Sequence, residues 1–144
     1  MKASVQRGHT VVRQQVYAPG RTVDTVAHIK RGLSVHEFDT LRSLLGLTVE
    51  ALARKVGISA ATLSRRRRHR DPLDPVHGDR IVRFARLFRM ARTLFDGDEA
   101  AARRWLTAPA RALGGHAPLD FADTEAGGRE VENLVGRLEH GVYT

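Results

Sequence analysis

The chain has 144 residues, which is enough for one compact core or two small helical lobes and too few for a large enzyme with a separate regulatory domain. Its 42% hydrophobic and 28% charged residues exclude a chain that is disordered throughout. The absence of cysteine excludes disulfides and thiolate metal sites, while a net charge of +8 indicates an anionic partner, of which nucleic acid is the most common.

The charge is divided unevenly along the sequence. Residues 113–144 contain six acidic and two basic side chains, so a basic body is followed by an acidic end. The first residues lack the apolar stretch of a signal peptide, and no segment has the length of a transmembrane helix. We therefore predict a cytoplasmic protein without membrane contact.

The apolar residues recur at helical spacing, and no stretch shows the alternation typical of strands, which predicts an all-α fold. Residues 1–21 have no sustained period and are predicted to form a loosely ordered arm. A first helix is predicted from the stripe of Val23, Val26 and Ile29, with its end at Gly32.

Further helices are predicted from their start and stop signals. Ser34 is suited to cap a second helix, with Glu37 as the other half of a capping box. The prolines and glycine of residues 71–79 indicate a linker, and a long helix is predicted over about residues 79–94. Asp98 and Thr124 are predicted to cap two later helices.

Residues 48–70 have the features of a helix-turn-helix. Such a motif needs apolar anchors on both helices, a small residue where the helices cross, a glycine at the turn and a polar N-cap. The residues that supply these features are Leu52, Ala53, Val56, Gly57, Ile58, Ser59 and Leu63.

The second helix of this motif is predicted to read DNA in the major groove. An arginine can bind the O6 and N7 atoms of guanine or clamp a phosphate, so we predict Arg65 and Arg68 as base readers and Arg66, Arg67 and Arg70 mainly as phosphate contacts. An isolated basic run would instead suggest a solvated face or a localisation signal, but this run continues a capped helix directly after a turn. The complete predicted DNA-binding set is Ser59, Ala60, Ala61, Thr62, Ser64, Arg65, Arg66, Arg67, Arg68 and Arg70.

Three stretches carry a narrower signal: residues 57–68 (GISAATLSRRRR), 98–128 (DEAAARRWLTAPARALGGHAPLDFADTEAGG) and 131–143 (VENLVGRLEHGVY). In this order they resemble the Xre/MbcA/ParS antitoxins, which accompany RES-domain toxins in bacterial toxin–antitoxin pairs. The latter two stretches carry most of the specificity, because helix-turn-helix cores occur in many regulator families.

The resemblance implies an N-terminal Xre/Cro-like helix-turn-helix domain, residues 22–75, and a small helical toxin-binding domain, residues 76–144. It implies a cognate toxin that consumes NAD or transfers its ADP-ribose, whose cleft is covered by the end of this chain, and an operon repressed through operator DNA. His77 and Gly78 depart from the family pattern at the start of the long helix. The predicted toxin-binding residues are Arg137, Glu139, His140, Gly141, Val142, Tyr143 and Thr144, with Tyr143 as the aromatic anchor.

Two alternatives of other classes stay open. One is a stand-alone repressor whose second domain dimerises or senses a ligand, and the other is a basic enzyme. The histidines include no pair at i, i+4 spacing and no recognisable catalytic set is present, so we predict no metal, no cofactor and no catalytic residue. We expect at least a homodimer, or a higher hetero-oligomer with toxin. Gly127, Gly128 and Gly136 favour close packing against a second copy or the toxin over a merely loosened helix.

Overall fold

The computed structural model describes residues 10–141. These residues contain helices and no strands, which confirms the all-α prediction. The chain divides into two compact units, Met1–Ala85 and Arg86–Thr144. No helix within residues 10–141 is both long enough and apolar enough to cross a membrane. The helices are α1 Val11–Tyr17, α2 Thr22–Arg31, α3 Val35–Leu45, α4 Val49–Val56, α5 Ala60–His69, α6 Pro75–Leu94, α7 Glu99–Thr107, α8 Pro118–Phe121 and α9 Glu125–Glu139, with a 3-10 turn at Arg111–Leu113.

The core of the first unit is built from α3, α4 and the first half of α6. Their apolar stripes place Phe38, Leu41, Leu52, Ile81 and Phe84 fully out of solvent. Burial of such side chains stabilises a fold by roughly 1.5–3 kcal/mol each, so this cluster contributes substantially to the stability of the unit.

Helix α1 lies within the segment that the sequence predicts to be a loose arm, and the prediction is wrong for residues 10–17. Val11, Val12 and Val16 are buried, and α1 packs against α3. The Oε2 and Oε1 atoms of Glu37 accept hydrogen bonds from the backbone N–H groups of Val11 and Val12 at 2.8 and 3.0 Å. Because Glu37 lies on α3, no sequence signal near residues 10–17 indicates these hydrogen bonds.

The predicted capping box at the start of α3 is also wrong. Ser34 occupies the N-cap position with extended backbone, but its side chain makes no capping hydrogen bond. The Glu37 carboxylate turns instead to the N–H groups of α1, which otherwise have no acceptor within their own helix. The Glu37 carboxylate cannot accept hydrogen bonds at the starts of α1 and α3 at once. It accepts the two buried bonds from α1.

Helix α2 follows the predicted bounds, yet its apolar stripe is not a core face. Val23 and Val26 are 59% and 41% exposed, and no residue of α2 is buried. Thr25 and Ile29 are half-buried, and Gln15 Nε2 donates to Thr25 Oγ1 at 3.0 Å, so the unit contacts α2 on the side of these two residues.

The long helix begins four residues before the predicted start at Asp79. Pro75 opens it, because proline lacks an N–H and the first turn of a helix needs none. The connection is therefore confined to residues 71–74, and it is fixed in place by Leu73, which is buried and donates its N–H to the Leu33 carbonyl at 2.7 Å.

In the second unit the two predicted N-caps are confirmed. Asp98 Oδ1 accepts from the Ala101 N–H at 3.1 Å, and Thr124 Oγ1 accepts from the Gly127 N–H at 3.0 Å. These caps satisfy backbone donors at the starts of α7 and α9. The fully buried side chains of this unit include Leu87, Phe88, Leu106, Leu119 and Val131.

The glycines of α9 divide into two kinds. Gly127 and Gly128 are buried inside the unit, and a Cβ atom at Gly127 would lie 1.8 Å from the carbonyl oxygen of Phe121. The sequence predicts that a second copy or the toxin packs closely against these glycines. At Gly127 the closely packed neighbour is α8 of the same chain. Gly136 is open, because a Cβ atom placed there would meet nothing within 4 Å beyond its own helix.

Candidate functional site

The turn between α4 and α5 has the geometry that the sequence predicts for a helix-turn-helix. Gly57 adopts a left-handed conformation with φ of 85°, which glycine takes without steric cost. Ile58 is buried at the corner, and Ser59 Oγ accepts from the Thr62 N–H at 3.1 Å to cap α5. Leu63 is buried and anchors α5 to the unit. The prediction of the motif is confirmed residue by residue.

A side chain from α6 closes the turn, and sequence reasoning missed it. Arg80 Nη1 donates to the Val56 carbonyl at 2.9 Å, at the end of α4 where carbonyl groups lack helical partners. A Cβ atom at Gly57 would lie 2.4 Å from the same Nη1 atom, so the glycine also makes room for the guanidinium group. No periodicity or motif in the sequence indicates this contact.

The outward side of α5 combines small side chains with two arginines. Ser59, Ala60, Ala61 and Ser64 are exposed, as are Arg65 and Arg68, while Thr62 is half-buried. Arg68 Nη1 donates weakly to Ser64 Oγ at 3.4 Å, and Arg65 has no hydrogen-bond partner within residues 10–141. A helix with this face can approach the floor of the major groove closely and leaves its guanidinium groups available to base edges.

Arg66 and Arg67 have carboxylate partners within the chain. Arg66 donates to the Pro72 carbonyl through Nη1 and to Asp74 Oδ1 through Nη2, the latter at 3.0 Å. Arg67 forms a two-pronged pair with Asp39 of α3, with distances of 2.7 and 3.1 Å. The hydrogen bonds that Arg67 donates to Asp39 raise the pKa of Arg67 above its ordinary value. Their assignment as phosphate contacts stays a prediction, and in this conformation neither guanidinium is unoccupied.

Arg70 ends α5 in a left-handed conformation with φ of 56°, and its N–H donates to the Arg66 carbonyl. Its side chain is exposed and has no partner within the described part of the chain. The structure thus separates the basic run into Arg65, Arg68 and Arg70, which point to solvent without a carboxylate partner, and the paired Arg66 and Arg67.

The second predicted site is the end of the chain. Arg137 is half-buried, with Nη2 3.5 Å from Glu130 Oε1. Glu139, His140 and Gly141 are exposed at the end of α9. The remaining predicted toxin-binding residues, Val142, Tyr143 and Thr144, lie outside the described residues.

Acidic side chains gather near the start of α9. An open cavity of about 580 Å³ there is lined by residues that include Asp120, Asp123, Glu130, His116 and Phe121. No set of three or more potential ligand side chains that could hold a metal occurs within residues 10–141. Of the acidic side chains that line the cavity, Glu130 is paired with Arg137.

Comparison with known proteins assigns both units. Residues 24–86 match the antitoxin Xre-like helix-turn-helix domain, and residues 90–141 match the antitoxin Xre/MbcA/ParS C-terminal toxin-binding domain. The chain is 38% identical over 119 residues to a protein named Antitoxin Xre from Yersinia enterocolitica, an alignment that covers 83% of this chain and 80% of the relative. The chain belongs to the Xre antitoxin family. A second Antitoxin Xre, from Photorhabdus laumondii, is 34% identical over 82% of this chain and 80% of its own length.

A further relative is also named an antitoxin. A protein named Prs ADP-ribosylating antitoxin, from a Sphingobium species, is 23% identical over 84% of this chain and 81% of its own length. This Xre antitoxin is thus the antitoxin of a toxin–antitoxin pair and is not an enzyme. Its partners are DNA, through the helix-turn-helix domain, and a toxin, through the C-terminal domain.

Proposed function

We propose that this Xre antitoxin neutralises a cognate RES-domain toxin by covering the toxin's active site with residues 137–144, and that it represses its own operon through α5. The observation that carries the proposal is the joining of an exposed, capped recognition helix to a toxin-binding domain in one chain. A stand-alone repressor would need only the first of these parts.

Operator recognition rests on the outward face of α5. Arg65 and Arg68 are exposed near Ala61 and Ser64, whose small side chains allow the helix to enter the groove. One recognition helix contacts few base pairs, so a useful specificity requires two copies on a two-fold operator. We therefore include a homodimer, or a larger complex with toxin, in the proposal.

The Arg65→Ala variant tests base reading. Its affinity for a duplex carrying the promoter of its own operon is expected to fall by about 1–3 kcal/mol, while its affinity for a mixed-sequence duplex falls less, because a contact to guanine exists only on the operator. Titrations of both duplexes at one salt concentration measure the two affinities.

Arg70→Ala is the matched control for this test. Arg70 is equally unpaired but lies beyond the last turn of α5, so its loss is expected to weaken both duplexes to the same degree. If Arg65→Ala likewise reduced both affinities equally, Arg65 would be a phosphate contact and the assignment of base reading would fail.

Charge supports the proposed contact with the toxin. A cleft that binds the anionic dinucleotide NAD needs positive potential, and residues 113–144 of this chain are net acidic. Asp120, Asp123 and Glu130 line one surface of the second unit, and the exposed Glu139 lies close to the chain end. Within the tail, Tyr143 is proposed as the aromatic anchor, since aromatic side chains dominate the energetics of protein interfaces.

A truncation after His140 tests the proposed function. Cells that express the neighbouring toxin gene are expected to lose NAD, the full-length antitoxin is expected to restore it, and the truncated chain is expected to restore little of it. The reason is that the truncation removes Tyr143 and its neighbours but none of the buried side chains of α9. Intracellular NAD is the measurement.

Full-length Arg65→Ala serves as the control in the same cells and is expected to protect NAD as the wild type does. Equal protection by the truncated chain would show that the tail is not the inhibitory element. Absence of any NAD loss with the neighbouring gene would leave a DNA-binding regulator and overturn the RES-toxin proposal.

A further inference from the structure

The pair between Asp39 and Arg67 joins the recognition helix to α3 across 28 positions of sequence. Both guanidinium Nη atoms donate to the two carboxylate oxygens, at 2.7 and 3.1 Å. A planar guanidinium and a planar carboxylate in this arrangement fix each other's orientation as well as their distance. Arg67 thus has a defined direction, toward α3.

This direction differs from that of the neighbouring arginines. Arg67 follows the buried Leu63 by one helical turn, so it leaves α5 on the side that faces the unit, and its side chain is 47% exposed. Arg65 and Arg68 leave the helix on the outward side. Because Arg67 is only partly covered, loss of the Asp39 carboxylate would free its long side chain to reach solvent.

Stability alone is a poor explanation of the pair. The Asp39 side chain is 33% exposed, and ion pairs in such positions contribute little to folding. Each arginine that reaches a phosphate strengthens binding to every sequence and steepens the salt dependence by about 0.9 in the logarithmic slope. An additional free arginine on α5 would therefore strengthen binding to every DNA sequence and make that binding more dependent on salt.

We propose that Asp39 withholds Arg67 from DNA phosphates and so limits the sequence-independent affinity of the recognition helix for DNA, which replaces, for Arg67, the sequence-based prediction of a phosphate contact. The inference rests on the proposed reading of DNA by α5. Asp74 holds Arg66 in a similar way, but Arg66 also donates to the Pro72 carbonyl, so loss of the Asp74 carboxylate alone would not free it. A substitution of Asp39 is therefore a more direct test than a substitution of Asp74, because it removes both hydrogen-bond acceptors of the Arg67 guanidinium.

The test is a double-mutant cycle of Asp39→Asn and Arg67→Gln in the full chain. Binding to a mixed-sequence duplex and to the operon promoter is titrated between about 50 and 200 mM salt. Asp39→Asn is expected to strengthen binding to both duplexes and to steepen both slopes by about 0.9, a roughly three- to fourfold change across this range, with the ratio of promoter to mixed-sequence affinity unchanged. In the Arg67→Gln background, Asp39→Asn is expected to leave the slope unchanged.

Each outcome of the cycle decides the inference. An equal effect of Asp39→Asn with and without Arg67 would show that the carboxylate acts only through its own charge, and the inference would be wrong. An unchanged slope in Asp39→Asn alone would also overturn it. Arg70→Gln, expected to flatten the slope by about 0.9, verifies that the assay detects one phosphate contact. If the wild-type chain bound neither duplex, the proposed DNA reading itself would have failed. Thermal melting of each variant checks that the fold is retained.

Discussion

Gly127→Ala is expected to destabilise the C-terminal unit by at least about 3 kcal/mol, because the added methyl group would overlap backbone atoms. The added Cβ would lie 1.8 Å from the Phe121 carbonyl oxygen and 2.9 Å from its carbonyl carbon. Both are backbone atoms of α8, so relief requires that α8 and α9 separate. Thermal denaturation followed by circular dichroism measures the loss, and recovery of cellular NAD by the variant is expected to fall with it.

Gly136→Ala is the matched control on the same helix. Nothing beyond its own helix lies within 4 Å of the position of its Cβ, and alanine is favoured over glycine in a helix interior by roughly 0.5–1 kcal/mol. The control is therefore expected to raise the melting temperature. A Gly127→Ala protein that melted at or above the wild-type temperature would show that α8 and α9 do not approach each other as closely as the structure has them.

The features that the sequence predicts correctly are those whose physical cause is local. Thr124 and Asp98 cap the helices that begin directly after them, and Gly57 reverses the chain where a positive φ is needed. Each of these contacts spans three or four residues, so the chain positions alone determine the geometry. The same reasoning locates Ser59 and the start of the recognition helix.

Contacts that a charged side chain makes with a group far away in the sequence cannot be predicted in this way. Glu37, Asp39 and Arg80 each bind a group 24 to 28 positions away. Hydrophobic periodicity indicates which side of a helix is buried, but it does not indicate which carboxylate a given arginine meets. For this reason the sequence does not predict the pairing within the basic run of α5, where Arg67 turns toward α3 and Arg65 turns outward.

Helix α1 is not predicted from the sequence, for a related reason. Its seven residues are too few for stable helix formation in isolation, where about 12–15 residues are needed, and its start depends on a carboxylate from α3. Local propensity is therefore a poor guide, and the buried face of Val12 and Val16 becomes significant only once α3 is in place.

Glu37→Ala is expected to destabilise the N-terminal unit by about 3 kcal/mol or more. The carboxylate is buried and accepts two backbone hydrogen bonds, at 2.8 and 3.0 Å, and a hydrogen bond to a charged group contributes about 1.5–3 kcal/mol. Its removal leaves the N–H groups of Val11 and Val12 buried without an acceptor. Chemical denaturation measures the free energy of unfolding, and amide hydrogen exchange is expected to show the first protection lost from α1.

Two further variants separate the capping bonds from a general effect of charge. Glu37→Gln retains one carbonyl oxygen and is expected to lose less stability than Glu37→Ala, because one of the two N–H groups keeps an acceptor. Glu50→Ala removes an exposed acid from the first turn of α4 and is expected to cost no more than about 1 kcal/mol. If Glu37→Ala changed stability as little as Glu50→Ala, α1 would be held by its valines alone. The carboxylate would then be a consequence of the docking of α1 and not its cause.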